Sequence, residues 1–341
     1  MNGNINILII RFSSLGDIVL TTPVLRLVRE KYPDARVYYL TKKSFASVLE
    51  DNPSIDRVLL WEEARKDKTH VLWTQEYDYL LDLHSSLRSF LVRRRVKYQK
   101  KGIFHKPYWK RFLLVKFKKN TYKKSSSVVF RYMRTLKILG IRPHYRAPFV
   151  SPLRPMAKRL EGWNQSGETL AVAPGSRWFT KKWPAEYFEK FILDYMSHYP
   201  QSSVILLGGP DEVDECAAIY SHVRKKARNK NKIYNFAGKL TIRETAYFLK
   251  HSGTFLTNDS GLMHIASAFS VRILALFLST VPEFGFLPFT KNKKILSVDL
   301  PCKPCDHKGL RRCPEKHFQC AYRIFPETVM EELENWEPRS K

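Results

Sequence analysis

Thr257-Asn258-Asp259-Ser260-Gly261-Leu262-Met263-His264 follows the apolar pair Phe255-Leu256 and runs into Ile265-Ala266-Ser267-Ala268-Phe269, whose composition is helical. The order reads as a strand, a tight turn and the start of a helix. The first N–H groups of a helix have no partner within it, and the peptide dipoles leave partial positive charge there, so such a turn suits a phosphate. Asp259 and Ser260 are helix-capping residue types, and Gly261 lets a ligand approach the backbone. His264, about one turn further on, faces the same mouth. The same letters also describe an ordinary capped helix with a surface histidine. A polar cluster after a strand matters because open α/β sheets bind ligands at the carboxyl ends of their strands.

Working outward, that unit repeats. Ile7-Leu8-Ile9-Ile10 reads as a buried strand, followed by the polar loop Phe12-Ser13-Ser14-Leu15-Gly16-Asp17 and helical periodicity from Ile18 to Tyr32. Strands are expected at Arg36 to Leu40, Val58 to Trp61 and Tyr79 to Leu83, and a helix from Phe130 to Leu139. Pro148, Pro152 and Pro155 punctuate a crossing, after which the pattern restarts. Strands are expected at Leu170 to Ala173, Ser203 to Leu207, Lys232 to Phe236, Thr254 to Thr257 and Arg272 to Phe277, with helices between them. Pro326 to Trp336 is the last helix. Strands alternating with helices predict parallel sheets covered on both faces. The fold class is α/β: two Rossmann-like domains facing across a cleft, 1–155 and 156–325, then a C-terminal helical stretch, 326–341. No G-x-G-x-x-G follows the first strand and no P-loop occurs, which counts against a dinucleotide oxidoreductase and a P-loop NTPase.

The net charge of +27 is concentrated. Leu83 to Leu160 holds 23 of the 59 Lys and Arg and none of the 32 Asp and Glu. Aromatic residues interleave there, among them Phe90, Tyr98, Tyr108, Trp109, Phe112 and Phe117. Such a segment, 83–160, suits a polyanion or an anionic membrane surface, or else is a solvated loop. No run of ~20 apolar residues is present. The start lacks the charged region of a signal peptide, so a cytoplasmic protein, soluble or peripheral, is expected. Charge alone admits a nucleic-acid binder, but no nucleic-acid-binding motif accompanies it and no nucleic-acid partner is expected.

Four of the five cysteines, Cys302, Cys305, Cys313 and Cys320, fall at C-x2-C-x7-C-x6-C spacing. That spacing fits a structural zinc site, or a reduced cluster packing a C-terminal loop.

Arg11-Phe12-Ser13-Ser14-Leu15-Gly16-Asp17-Ile18-Val19-Leu20-Thr21-Thr22-Pro23 resembles the N-terminal signature of the bacterial lipopolysaccharide heptosyltransferases, glycosyltransferase family 9. Pro174-Gly175-Ser176-Arg177-Trp178-Phe179-Thr180-Lys181-Lys182-Trp183-Pro184 resembles that family's mid-chain loop. Leu206-Leu207-Gly208-Gly209-Pro210, Phe236-Ala237-Gly238-Lys239 and the Asp259 segment follow in the family's order. The cysteine cluster resembles the tail of many members. The resemblance spans nearly the whole chain, except the basic segment, where no family pattern is found.

The resemblance implies a GT-B fold with acceptor on the N-terminal domain and donor on the C-terminal one. It implies an inverting transfer, with no metal or cofactor required, of a heptose from ADP-heptose to the inner core of lipopolysaccharide. The acceptor is then Kdo-lipid A or a heptosylated form of it, at the cytoplasmic face of the inner membrane. Asp17 matches the family's proposed base, and a base is what deprotonation of an attacking hydroxyl needs; its plain alternative is to cap the helix beginning at Ile18. Lys181 matches the lysine at the donor phosphates, where a departing diphosphate needs positive charge; its neighbour Lys182 stays open, as does plain solvation. Ser176, Asp259, Ser260, Gly261 and His264 match the donor site. Arg93, Arg94, Arg95, Lys100 and Lys101 are candidates for acceptor phosphates or the anionic membrane surface. Trp178, Phe179 and Trp183 suit either base stacking or a core, and Glu244 a nucleotide contact. A family member using another nucleotide-sugar is the alternative reading.

Overall fold

A computed structural model describes residues 5–122, 127–156, 163 and 168–336. Parts of two expectations lie outside the described residues: 123–126 and 157–160 of the basic segment, and 337–341 of the C-terminal stretch.

The first sheet has five strands in the order β3-β2-β1-β4-β5. They are β1 Asn6–Ile10, β2 Arg36–Thr41, β3 Arg57–Leu60, β4 Glu76–Asp82 and β5 Lys97–Ile103. Every pairing is parallel. Ile7 to Ile10 are wholly buried because β1 is central and covered on both faces, which is why it reads as an unbroken apolar run. Leu8, Ile10, Leu40, Leu59 and Leu80 share one core on this sheet. The strand order reverses direction between β1 and β4, so the loops after those two strands flank the switch point where such sheets take ligands.

The second sheet has six parallel strands in the order β11-β10-β9-β6-β7-β8. They are β6 Thr169–Ala173, β7 Ser203–Leu206, β8 Ile233–Asn235, β9 Thr254–Asn258, β10 Arg272–Leu276 and β11 Lys293–Leu296. Counted from β6, this is the Rossmann order, with its switch point between β6 and β9. Its core joins Leu170, Val172, Leu256 and Leu274 to Phe188, Phe191 and Ile192 of the helix Ala185–His198. The α/β class and two Rossmann-like sheets are as the sequence predicts. Strands β5 and β11 are additions to it.

Contacts group the chain into two compact units. One takes in Met1–Tyr108, Lys124–Ser151 and Gly285–Phe289; the other Trp109–Lys123, Pro152–Phe284 and Thr290–Lys341. The changeover falls at Ser151/Pro152 rather than 155/156, and two segments cross it. The first is the helix Tyr108–Phe117, with the residues that follow it. Beyond its end, Lys118 Nζ donates to the carbonyls of Cys302 and Pro304 at 3.0 and 2.7 Å. The second is Gly285–Phe289, where Val128 N donates to Gly285 O at 2.8 Å and the Phe289 ring packs on Phe130 and Tyr145.

The helix predicted from Ile18 to Tyr32 is two helices, Leu15–Val19 and Thr22–Lys31. Pro23 has no N–H to continue the first ladder. The Thr21 and Thr22 hydroxyls instead donate to the Ile18 and Val19 carbonyls, each at 2.7 Å.

Candidate active site

Asp17 lies just beyond β1, in the first turn of the helix Leu15–Val19. Its side chain is 17% exposed and fully engaged with protein. Oδ1 receives Arg11 Nη2 at 2.8 Å and the Tyr132 hydroxyl at 2.9 Å. Oδ2 receives the Ser14 hydroxyl at 2.6 Å and the Ser14 N–H at 3.3 Å. Asp17 is thus not the cap itself but the reciprocal partner of Ser14 in a capping box. Burial alone would raise its pKa, yet the Arg11 charge and the Ser14 and Tyr132 hydrogen bonds outweigh burial and hold it at about 2. Arg11 is in turn fixed by the carbonyls of Ser13 (2.7 Å) and Leu83 (2.6 Å), which ties the loop after β1 to the end of β4. His84, half-buried at that same end, is pushed to about 3 by burial and by the charges of Arg11 and Lys106. Burial also raises the pKa of the Tyr132 hydroxyl, so it remains a donor to Asp17.

In the second unit, loops after β6, β9 and β10 converge. Lys181 Nζ sits 2.5 Å from Asp259 Oδ2, and the Thr280 hydroxyl donates to the same oxygen at 2.9 Å. Both charged side chains are largely shielded, at 13% and 9% exposure. Asn258, the last residue of β9, holds the frame. Its Nδ2 donates to the Pro174 carbonyl at 2.5 Å and its Oδ1 accepts from Trp183 N at 3.1 Å. Thr180 adds the rest: its hydroxyl accepts from Ser279 Oγ at 3.0 Å and from Leu310 N at 2.8 Å. Ser176, on the loop after β6, is buried, and so is His264. The Ser260 hydroxyl lies 3.2 Å from that of Thr257, and Ser260 and Gly261 open the helix Gly261–Ala266.

Two glycines sit at close approaches, and at Gly309 the backbone conformation itself requires one. A Cβ on Gly175 would lie 2.1 Å from the Glu212 carboxylate. Gly309 has φ +107, and a Cβ there would meet Trp178 at 2.7 Å, directly on the turn that carries Lys181.

The structure thus brings Lys181, Asp259 and Ser260 to one sheet end and Asp17 to another. Lys182 is directed elsewhere, paired with Glu215 at 2.6 Å. Trp183 is core, donating to Ile324 O at 2.9 Å, while Phe179 stacks on Phe318. Glu244 takes part in a capping box, accepting from Thr241 N at 2.8 Å. Among the basic candidates, Arg93 contacts buried Asp82 at 3.2 Å, and Arg95 lies 4.0 Å over the Trp73 ring. Arg94, Lys100 and Lys101 are exposed, the two lysines on the edge strand β5. Lysine on an open edge also discourages strand pairing between molecules.

Of the two readings of the cysteine cluster, zinc finds no support. Cys302, Cys305, Cys313 and Cys320 are free thiols, and among the described residues no three His, Cys, Asp or Glu side chains are grouped to hold a metal. Cys320 and Cys313 join the apolar core instead, Cys302 Sγ lies 3.9 Å from His317 Nε2, and burial raises the thiols of Cys305 and Cys320 to about 11 and about 12.

Sequence reasoning missed Arg11, Tyr132, Asn258 and Thr280. Arg11 and Asn258 each adjoin or lie within a quoted motif at a strand end. Tyr132 and Thr280 come from distant segments and carry no local signal.

Two parallel Rossmann-type sheets, each with polar residues gathered at its switch point, are the architecture of the GT-B fold. A family model for glycosyltransferase family 9 (heptosyltransferase) matches residues 68–317. The chain belongs to that family and is a glycosyltransferase. It is 27% identical to lipooligosaccharide heptosyltransferase 2 of Campylobacter jejuni, over 94% of this chain and 95% of that one. It is 26% identical to lipopolysaccharide heptosyltransferase 3 of Escherichia coli, over 81% and 83%. Among solved structures, the E. coli ADP-heptose lps heptosyltransferase II superposes with a TM-score of 0.73 at 18% identity, covering 97% of this chain and 98% of that one. E. coli heptosyltransferase WaaC with ADP does so at 0.69 and 16%, covering 97% and 99%.

Proposed function

We propose that this enzyme transfers a heptose, with inversion, from ADP-heptose to the inner core of lipopolysaccharide, on Kdo-lipid A or a heptosylated form of it. Family membership and the lipopolysaccharide and lipooligosaccharide heptosyltransferases among its relatives support the reaction. One observation carries the donor reading: Lys181, Asp259 and Thr280 meet at the β6/β9 switch point, where a nucleotide-sugar diphosphate belongs.

In this reading Lys181 turns from Asp259 to the diphosphate, and Ser176, His264 and the Ser260 and Gly261 amides add donors. Asp259 is then left to the sugar or ribose hydroxyls. Charge developing on the departing ADP is met by Lys181, without a catalytic metal. Asp17 takes the proton of the acceptor hydroxyl as its oxygen bonds to the anomeric carbon and the bond from that carbon to the diphosphate oxygen breaks. A carboxylate held at about 2 is a weak base. It suits a late proton transfer, when bond formation has already made the hydroxyl acidic. Displacement from the side opposite ADP inverts the anomeric centre. In the same reading the exposed Arg94, Lys100 and Lys101 meet acceptor phosphates at the cytoplasmic face of the inner membrane.

Calorimetry with ADP-heptose, in the absence of added metal, tests this. Wild type should bind, and Lys181→Ala should bind far more weakly. Binding of another nucleotide-sugar in place of ADP-heptose would change the donor; binding of neither would overturn the site.

A further inference from the structure

The helix Tyr108–Phe117 shows solvent the side chains that soluble helices bury. Trp109 is 78% exposed, Tyr108 and Phe117 each 63%, and Phe112 49%; Leu114 alone in the helix is buried. At 3.6 residues per turn Trp109, Phe112 and Lys116 share one outward face. The rings touch one another, Trp109 to Phe112 at 6.0 Å between centroids and Phe112 to Phe117 at 5.8 Å, so they form one patch. Lys110, Lys116 and Lys119 are exposed around it. The helix is also held firmly from behind. Lys118 Nζ, just past its end, donates to the carbonyls of Val115, Cys302 and Pro304, and Asn120 donates to Glu283.

A rigidly mounted patch of contiguous exposed rings marks an interaction surface. Its charge selects the partner. No Asp or Glu lies between Leu83 and Leu160, so a second copy docking on this face would set cation against cation. Aromatic side chains ringed by lysines match the boundary of an anionic bilayer, where rings enter the acyl-headgroup region and ammonium groups remain among phosphates. No described helix is long and apolar enough to cross a membrane, so contact of this kind is with the surface.

We propose that the helix Tyr108–Phe117 lies in the surface of an anionic lipid bilayer, with Trp109, Phe112 and Phe117 inserted and Lys110, Lys116 and Lys119 against lipid phosphates. As an account of why the enzyme meets a bilayer, this rests on the lipid-linked acceptor proposed above. The binding itself does not, so the two readings fail separately.

Flotation with vesicles of phosphatidylcholine containing phosphatidylglycerol, without acceptor lipid and at about 0.15 M salt, tests the proposal. Wild type should float with these vesicles and not with phosphatidylcholine alone. Trp109→Ser combined with Phe112→Ser should weaken partitioning by at least about tenfold with an unchanged melting temperature, because both rings are already exposed. Neutralising Lys110, Lys116 and Lys119 to Gln should do the same through charge. A vesicle-induced blue shift of tryptophan emission should vanish in Trp109→Phe. Flotation of the double variant equal to wild type, binding indifferent to anionic lipid, or no wild-type binding would each overturn the proposal. Transfer to a deacylated, water-soluble acceptor should be the same in wild type and the double variant. Failure of transfer in both, with vesicle binding intact, would count against the heptosyltransferase reading and leave the membrane helix standing.

Discussion

Arg11 and Asp17 form a shielded ion pair, Nη2 to Oδ1 at 2.8 Å, that sets the chemistry of the first switch point. Through Arg11 the loop after β1 is bolted to the Leu83 carbonyl, and through Asp17 to Ser14 and Tyr132. The carboxylate is therefore ionised near neutral pH. It contributes about 2 kcal/mol of stability above pH 3.8, lost as pH falls toward 2.

Removing the guanidinium should change the pH dependence of catalysis, not only its rate. In Arg11→Met, burial is no longer outweighed and the Asp17 pKa rises. The acid limb of kcat/KM should then move upward, whereas Arg11→Lys, which keeps the charge, should restore much of the wild-type profile. Asp17→Asn should lower kcat by about 10²–10⁴ at all pH values. Profiles of the three variants against wild type decide this; an unmoved acid limb in Arg11→Met would mean that Asp17 is not the group taking the proton.

His84 predicts a separate acid sensitivity. Its folded pKa of about 3 lies below the unfolded 6.5, so the unfolded chain binds more protons between those values. Stability is accordingly complete above pH 6.5 and falls as pH drops below it, well before Asp17 begins to titrate. Thermal melts at pH 7 and pH 5 should show a loss in wild type that His84→Gln largely abolishes. A pH 5 loss of equal size in the variant would remove His84 as its source.

Central strands were legible because a strand covered on both faces is apolar at its centre, as Ile7 to Ile10 of β1, Leu170 to Ala173 of β6 and Phe255-Leu256 of β9 are. Edge strands obey no such demand. Lys97-Tyr98-Gln99-Lys100-Lys101-Gly102-Ile103 looks like a solvated basic run, and only its parallel register beside β4 makes it β5. Lys293-Lys294-Ile295-Leu296 hides β11 in the same way. The site divides similarly. Asp17, Lys181 and Asp259 sit in motifs, as does Arg11, but the hydroxyls bonded to the two carboxylates from elsewhere do not: Tyr132 is 115 residues from Asp17, and Thr280 comes from the loop after β10. Cysteine spacing left zinc and a packed reduced cluster both open, because spacing alone says nothing about where Sγ atoms point; Cys320 faces the core.

Gly309 packs the C-terminal loop against the turn that carries Lys181. Gly309→Ala adds a Cβ 2.7 Å from Trp178 at φ +107, which an alanine adopts only under strain. The cost should be about 1–3 kcal/mol, seen as a melting temperature lower by several degrees. Because the crowded turn carries Lys181, the KM for donor should rise more than kcat falls. An alanine variant with unchanged donor KM would show that the turn absorbs the methyl without moving Lys181.

The Lys181–Asp259 pair makes the sharpest demand, because its two members should not behave as independent donor contacts. Lys181→Ala should weaken ADP binding by about 10–100-fold, as expected for loss of a charge-assisted hydrogen bond. Asp259→Asn acts in two opposing ways: it loosens the residue that positions Lys181, and it removes a carboxylate competing with the diphosphate for the ammonium. Its effect on ADP should therefore be small beside its effect on a sugar-bearing donor, where the Asp259 hydroxyl contacts are lost as well. In the double variant the Asp259 change should have nearly no further effect on ADP, since there is no ammonium left to position or to release. Calorimetric titration of the four proteins with ADP gives the coupling directly. Additive losses would mean that Lys181 and Asp259 meet the nucleotide separately and that their 2.5 Å contact is incidental to donor binding.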